Sequence, residues 1–213
     1  MPTKTALFVI DIQNDLTTDP KTRIPHADRI RAAGTKMLSV ARELLESNNH
    51  THPDRSEVPP PALIVFVQHE ENPKDGPLVR GSEPWKLVFE PRADAPYERL
   101  VAKRTRDTFK SNPSLASELK EQHGIQEIVA FGIQSECCVE ATCEGALAAG
   151  FRVTLLSGAH STYDDIQGRD GGMGKAAVEI EREVEERLKG KGARVVAWEG
   201  VVGEWEKDAC SHD

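Results

Sequence analysis

Three residues of complementary chemistry stand at or just beyond the ends of apolar segments: the carboxylate of Asp11, the amine of Lys103 and the thiol of Cys138. A thiol becomes a nucleophile when a base removes its proton, and a nearby ammonium group stabilises the resulting negative charge. The three groups together therefore indicate covalent catalysis by cysteine. Taken singly, each has an ordinary structural interpretation: a strand-end cap for Asp11, a solvated side chain for Lys103 and a small core side chain for Cys138.

The elements that would position these residues alternate between strands and helices. Apolar segments that predict strands lie at 6–10, 62–67, 100–102, 125–132, 151–156 and 193–197. The segment 6–10 lacks polar alternation, which is typical of a buried parallel strand. Amphipathic segments that predict helices lie at about 27–47, 113–122, 138–149 and 177–188. This alternation predicts one α/β domain over residues 1–213, with a doubly wound, six-stranded parallel sheet and helices on both faces. The alternation does not fix the strand order, for which we expect 3-2-1-4-5-6.

In an open parallel sheet, ligands bind beyond the carboxyl ends of the strands. Asp11 follows the first predicted strand, Lys103 the third, and the segment 132–138 the fourth, so we expect all three to converge at that edge. Cys138 is also placed at the start of a predicted helix, where the positive end of the helix dipole lowers the pKa of a thiol. We therefore expect a reactive thiolate at this position.

The composition excludes several classes of protein. Lys and Arg number 27 against 35 Asp and Glu, a net charge of −8 that disfavours nucleic acids and anionic membrane surfaces as partners. The mean hydropathy is −0.49, and no apolar run approaches the roughly 18 residues of a membrane span. The first apolar run, 6–10, is too short for the core of a signal peptide. We expect a cytoplasmic protein.

The four cysteines do not indicate a disulfide scaffold or a structural zinc site. Four in 213 residues are too few to staple a small fold, and no C-x-x-C pair is present. Cys137 and Cys138 are adjacent and cannot form an unstrained disulfide with each other.

Three segments together resemble the isochorismatase-like cysteine hydrolases. Residues 7–15 (LFVIDIQND) resemble that superfamily's opening strand, apolar-Ile-Asp-x-Gln-Asn-Asp. Val101-Ala102-Lys103, with Phe109 six residues after the lysine, resembles its lysine segment. Residues 132–142 (GIQSECCVEAT) resemble its nucleophile motif, G-x-x-T-x-x-C-V-x-x-T, with Ser135 in place of the usual threonine. The matching segments run from residue 6 to about 162 in the family's order and spacing.

The resemblance implies a catalytic triad of Asp11 as general base, Lys103 as a stabilising ammonium and Cys138 as nucleophile. It also implies that the oxyanion is held by the backbone amides of Cys138 and Gln134, beside a cis peptide bond between Ile133 and Gln134. The expected reaction is cleavage of an amide or carbamoyl-type C–N bond of a small molecule through a thioester, with no cofactor. The family's members are usually homo-oligomers, so we expect self-association.

Five residues are candidates to line the substrate pocket because they lie near these motifs. They are Gln13, His69, Trp85, Phe109 and Cys137. For Trp85 and Phe109, ordinary packing is an equally good interpretation. The long segment 69–96, dotted with Gly and Pro, is expected to cover one end of the domain and could act as a lid.

Two departures from the family pattern leave alternatives open. The family usually has Asp-Ala after the fifth strand, where this chain has Gly158-Ala159, so one carboxylate is missing. The family's nicotinamidases hold a metal through an Asp-x-His pair, which we do not find here, so we predict no metal site. A metal-dependent nicotinamidase-type amidase, with His50, His52 and His69 as ligands, remains the alternative enzyme. The alternative of another class is an inactive binding or scaffolding protein.

Overall fold

A six-stranded parallel sheet runs through the centre of the protein. Its structure is a computed structural model that describes residues 3–47, 57–166 and 174–210. The strands are β1 (Lys4–Ile10), β2 (Pro61–His69), β3 (Glu98–Lys103), β4 (Ile125–Ile133), β5 (Arg152–Ser161) and β6 (Arg194–Ala197). Their order in the sheet is β3-β2-β1-β4-β5-β6, and every neighbouring pair is parallel. The predicted α/β class and strand order are confirmed.

Helices cover both faces of the sheet. They are α1 (Asn14–Thr17), α2 (Ala27–Glu46), α3 (Thr108–Ser111), α4 (Leu115–Glu121), α5 (Glu140–Ala148), α6 (Ala177–Gly190) and α7 (Trp198–Cys210). A π-helical turn, Ser135–Val139, leads into α5. The buried side chains of α2 and α7 form one core layer, and those of α4, α5 and α6 form the other. None of the helices within the described ranges combines the length and apolar character that a membrane crossing needs.

The central strand β1 shows why its sequence is apolar throughout. Leu7 and Val9 pack into the α2–α7 layer, whereas Ala6, Phe8 and Ile10 pack into the opposite layer. All five side chains are buried. A strand that is covered on both faces has no exposed side for polar residues. This is why a continuous apolar segment predicted it.

The strand β5 is longer than its apolar segment predicts. Its pairing with β4 shifts between Ala130, which faces Leu155, and Gly132, which faces His160. The extra β5 residues bulge out, and Gly158 in the bulge has a φ of 79°, a left-handed conformation that favours glycine. The Ser-Gly pair that suggests the end of a strand therefore marks a bulge, after which β5 resumes pairing.

The helices differ from the sequence prediction in two places. The predicted helix 113–122 begins at Leu115, because Asn112 directly follows the end of the short helix α3. The helix α7 was not predicted. It is anchored by Trp205, which is fully buried and donates a hydrogen bond from its indole N–H to the carbonyl of Val58 at 2.9 Å.

Candidate active site

Asp11, Lys103 and Cys138 lie together at the carboxyl edge of the sheet. Lys103 Nζ is 2.7 Å from Asp11 Oδ2 and 3.1 Å from Cys138 Sγ. One carboxylate oxygen of Asp11 lies within 4.8 Å of the sulfur. Asp11 and Lys103 are almost fully buried. The carboxylate, the ammonium and the thiol are therefore within reach of one proton-transfer network, as the prediction of convergence requires.

His69 completes the surroundings of the ammonium group. Its Nδ1 lies 3.0 Å from Lys103 Nζ, and the two residues are directly paired across β2 and β3. An ammonium has three N–H donors, and here they face a carboxylate oxygen, a sulfur and an imidazole nitrogen. Because the Lys103 ammonium can only donate, Nδ1 of His69 is the acceptor in this contact.

Local backbone geometry at the end of β1 turns the Asp11 carboxylate into the site. Asp11 has a φ of 49°, in the left-handed region that few residues other than glycine adopt, and its N–H donates to the carbonyl of Val67 at 3.1 Å. Residues in such conformations concentrate at functional sites.

The neighbouring strand β4 approaches β1 so closely at this edge that it requires glycine. A Cβ atom on Gly132 would lie 2.1 Å from the carbonyl oxygen of Ile10. Immediately beyond it, the peptide bond between Ile133 and Gln134 is cis, and the π-helical turn begins. The Gln134 carbonyl accepts hydrogen bonds from the N–H groups of Cys137 and Val139, both at 3.1 Å. This turn presents Cys138 beside Gln134 at the pocket wall.

The charges of Lys103 and His69 follow from their surroundings. Burial, the largest single effect, lowers the pKa of Lys103, but the Asp11 carboxylate and the Cys138 sulfur together raise it above its ordinary value. Burial and the adjacent Lys103 lower the pKa of His69. At neutral pH, Lys103 is therefore an ammonium and His69 a neutral imidazole.

The prediction of a lowered thiol pKa at Cys138 is wrong. Burial and the nearby Asp11 carboxylate raise the pKa of Cys138, and Lys103 offsets only part of this effect. The ammonium is already neutralised by Asp11 at 2.7 Å. Cys138 also lies near the end of the π-helical turn Ser135–Val139 and not at its first residue. The resting thiol is protonated and needs a base.

A cavity of about 330 Å³ opens beside the sulfur. Its wall combines the predicted site residues with charged and apolar side chains. The lining residues are Asp11, Asp15, Leu16, His69, Glu71, Pro77, Leu78, Arg106, Ile133, Gln134, Cys137, Cys138 and Tyr163. This volume is at the lower end of the range of small-molecule sites.

Two of the five predicted pocket residues, His69 and Cys137, line this cavity. Phe109 does not: it packs in the core against Phe8 and Phe151, with ring centroids 5.9 and 5.7 Å apart. Phe109 follows Lys103 by six residues and lies in the short helix α3, which directs the Phe109 side chain into the core.

Gln13 and Trp85 also differ from the prediction, since neither lines the cavity. The Gln13 amide is fully buried; it donates to the carbonyls of Trp85 and His69 at 2.7 and 3.1 Å and accepts from the His69 N–H at 3.0 Å. Gln68 donates to the same Trp85 carbonyl at 3.0 Å. These buried amides tie the segment 70–97, which contains no helix or strand, to the end of β2.

Several lining residues were not predicted from the sequence. Arg106 follows Lys103 by three residues in what looks like an ordinary charged surface segment, and Tyr163 lies just beyond the end of β5. Asp15 and Leu16 lie in α1, directly after the first motif. Proximity to the strand ends was the available signal, and it does not distinguish lining residues from solvated ones.

The described residues do not fit a metal ion. Within the described ranges, the one group of three potential ligands is Asp11, His69 and Cys138. All three face the Lys103 ammonium, at 2.7 to 3.1 Å, so a cation already occupies the position between them. Of the alternative ligands, His50 and His52 lie outside the residues that the structure describes.

Comparison of the sequence with known proteins identifies its relatives. The isochorismatase domain matches over residues 5–196. A streptothricin hydrolase of Streptomyces noursei is 33% identical over 161 residues, which are 75% of this chain and 55% of that protein. The chain spans about half the length of the curated streptothricin hydrolases it matches.

Solved structures share the fold. An isochorismatase-like hydrolase from Alkaliphilus metalliredigens superposes with a TM-score of 0.71 at 21% identity, covering 95% of this chain and 99% of that one. A pyrazinamidase of Pyrococcus horikoshii in complex with zinc gives a TM-score of 0.65 at 23% identity, covering 91% of this chain and 99% of that one.

Proposed function

This chain belongs to the isochorismatase family, and we propose that it is a hydrolase that cleaves a C–N bond of a small amide or carbamoyl compound, with Cys138 as the nucleophile. The observation that carries the proposal is the placement of the Asp11 carboxylate and the Cys138 thiol beside the buried Lys103 ammonium group, at 2.7 and 3.1 Å. A protonated thiol beside a carboxylate, at the wall of a small cavity, suits attack on a carbonyl carbon.

In the first half of the proposed reaction, the carbonyl of the substrate lies against the wall formed by Gln134 and Cys138. The Asp11 carboxylate takes the thiol proton as the sulfur attacks, forming a C–S bond and placing negative charge on the carbonyl oxygen. The backbone amides of Gln134 and Cys138 stabilise that oxyanion; such donors contribute about 10²–10³ in rate. Asp11 then gives its proton to the departing nitrogen as the C–N bond breaks.

The second half of the reaction returns the enzyme to its resting state. Asp11, again a carboxylate, takes a proton from the water that attacks the thioester. The C–S bond breaks, the carboxylic acid leaves, and the proton returns to the Cys138 sulfur. Throughout both halves, Lys103 remains an ammonium and limits the cost of negative charge on Asp11 and on the sulfur.

The size and lining of the cavity restrict the substrate. A cavity of about 330 Å³ suits a compact molecule. Its wall carries the guanidinium of Arg106 and the carboxylates of Asp15 and Glu71. It also carries the apolar side chains of Leu16 and Leu78. We therefore propose a small, polar amide as substrate.

A screen for released ammonia or amine tests this proposal. The panel would contain small amides, carbamoyl compounds, nicotinamide and streptothricin, the last because of the name of the 33% identical relative. We expect turnover of at least one compound by the wild type. A complete absence of turnover, together with tight binding of a panel member, would favour the inactive binding protein.

Activity is expected to be independent of metal. Lys103 occupies the position between the three potential ligands, so chelation has no ion to remove from the site. Dialysis against EDTA should leave kcat and KM within about twofold of their starting values, with mock dialysis as the control. Loss of activity that zinc or iron restores would instead support the metal-dependent alternative. The pyrazinamidase in complex with zinc has the same fold as this chain.

A further inference from the structure

A second buried polar network lies behind the π-helical turn and takes no part in the reaction proposed above. Ser135 Oγ is 2.8 Å from His160 Nδ1, and His160 Nε2 is 3.3 Å from Glu185 Oε1. Ser135 and His160 are fully buried. The three residues come from three different elements, namely the π-helical turn, the end of β5 and α6, so their alignment depends on the whole fold.

The hydrogen-bond partners determine which nitrogen of His160 carries the proton. Burial acts to raise the pKa of Glu185, but hydrogen bonds from His160 and Ser157 outweigh it and lower the pKa below its ordinary value. Glu185 is therefore a carboxylate and accepts from Nε2–H. With Nε2 donating to Glu185, we assign Nδ1 as the acceptor of the hydrogen bond from the Ser135 hydroxyl.

The end of β5 that carries His160 is held from two further sides. Ser161 Oγ donates to Glu181 on α6 at 2.5 Å, and Arg29 on α2 donates to the same Glu181 oxygen at 2.6 Å. Arg29 also donates to the carbonyl of His160 at 3.2 Å. The imidazole is thus fixed at both ring nitrogens and through its own backbone.

The network contacts the π-helical turn at its first residue, Ser135. Ser135 follows Gln134 directly and precedes Cys138 by three residues. His160 and Gly132 face each other across β5 and β4, so the imidazole reaches the chain where it leaves the sheet. A shift of Ser135 would move the backbone amides of Gln134 and Cys138 together.

We propose that His160 is a positioning residue for the hydrolysis: with Glu185 behind it and Ser135 in front, it fixes the turn whose amides receive the oxyanion. The proposal rests on the proposed function. Small displacements of such donors have large effects, because a misplacement of about 1 Å costs up to roughly 10²-fold in rate. Ser135 acts through the turn and does not touch the substrate, since it does not line the cavity.

The kinetic test compares Ser135→Ala with Ser135→Thr. We expect Ser135→Ala to lower kcat by roughly 10- to 100-fold with little change in KM, because ground-state binding does not depend on the oxyanion donors. Ser135→Thr retains the hydroxyl and should recover most of kcat. Glu185→Gln should lower kcat as well, since it removes the charge that orders the imidazole. A loss confined to KM, or no rescue by threonine, would overturn the proposal.

A matched control separates positioning from loss of stability. Thr154, also buried and also on β5, donates from its hydroxyl to the buried Glu127 at 2.7 Å. Thr154→Val removes a hydrogen bond of the same kind near the other end of the strand. We expect it to lower the thermal midpoint while kcat stays within about twofold. A kcat loss equal to that of Ser135→Ala would show that the effect is general.

An independent spectroscopic readout keeps this proposal distinct from the proposed function. In ¹⁵N-histidine-labelled wild type, the signals lost in His160→Asn should show Nε2 protonated and Nδ1 unprotonated, and Ser135→Ala should shift the Nδ1 signal. A protonated Nδ1 would overturn the network whatever the kinetics show. If the network is confirmed but wild type and Cys138→Ala have equal activity, the proposed function fails and the positioning role for hydrolysis fails with it.

Discussion

Replacing Cys138 with alanine is expected to abolish hydrolysis, lowering kcat by at least about 10⁴-fold, because the proposed covalent intermediate forms on its sulfur. Cys137→Ala is expected to change kcat by less than about tenfold. The two thiols are adjacent and both line the cavity, but the contact from Lys103 Nζ, at 3.1 Å, goes to Cys138 Sγ. Steady-state kinetics on the substrate found in the screen measures both variants.

The Cys137 variant is the matched control for the Cys138 variant. Both substitutions remove one sulfur from the same turn, so general effects on the packing of the turn should be similar. Mass spectrometry of rapidly quenched wild type should also reveal an acyl group on the peptide that contains Cys138, and the Cys138→Ala enzyme should lack it. Equal losses in the two variants would show that the wrong thiol was assigned.

The strands of the sheet follow from the sequence because buried parallel strands carry a strong signal. The run from Ala6 to Ile10 is buried on both faces, and its lack of alternation is readable without a structure. The continuation of β5 to Ser161 was not readable, because the bulge at Gly158 resembles the end of a strand. The helix α7 was missed because the buried side chains within its described part, Val201, Val202 and Trp205, span little more than one turn and give only a weak periodic signal.

The convergence of Asp11, Lys103 and Cys138 was predictable, but the surroundings of each group were not. The order of motifs along the chain places all three at one edge of a parallel sheet. The hydrogen bonds that occupy Gln13, by contrast, come from residues 56 and 72 positions away in the chain. Nearness to a motif therefore identified the neighbourhood of the site and not the direction of each side chain.

The charge state of the thiol illustrates the same limit in energetic terms. A cysteine near a helix start and a lysine suggests a lowered pKa. The structure adds the burial of the sulfur and the ion pair between Asp11 and Lys103, and these reverse the sign. Burial and the Asp11 carboxylate raise the pKa of the thiol, whereas Lys103 lowers it, so distances and burial must be known before the balance can be judged.

This balance makes Asp11→Asn the second decisive variant, since it should affect turnover and thiol ionisation in opposite directions. Turnover should fall by roughly 10²–10⁴-fold because the general base is lost. The pKa of Cys138, which Asp11 raises, should fall, and alkylation by iodoacetamide at pH 7 should become faster. Alkylation would be measured in a Cys137→Ala background, so that the label at this turn reports on Cys138.

The pH dependence of alkylation provides the sign of the effect. With a raised thiol pKa, the thiolate fraction of the enzyme with Asp11 intact should grow about tenfold per pH unit between pH 6 and 8, without reaching a plateau. In Asp11→Asn the same curve should shift to lower pH. A plateau below pH 7 in the enzyme with Asp11 intact would show an ionised resting thiol and would contradict the assignment of Asp11 as its base.

Asp15→Asn serves as the control for these measurements. Asp15 also places a carboxylate on the cavity wall, but the ion pair of Lys103 is made with Asp11. Its replacement should leave the alkylation curve in place and change kcat by less than about tenfold. Thermal unfolding of both variants checks that the uncompensated Lys103 in Asp11→Asn has not unfolded the site. Loss of turnover together with slower alkylation in a folded Asp11→Asn enzyme would mean that Asp11 acts by holding Lys103 in place and not by taking the proton.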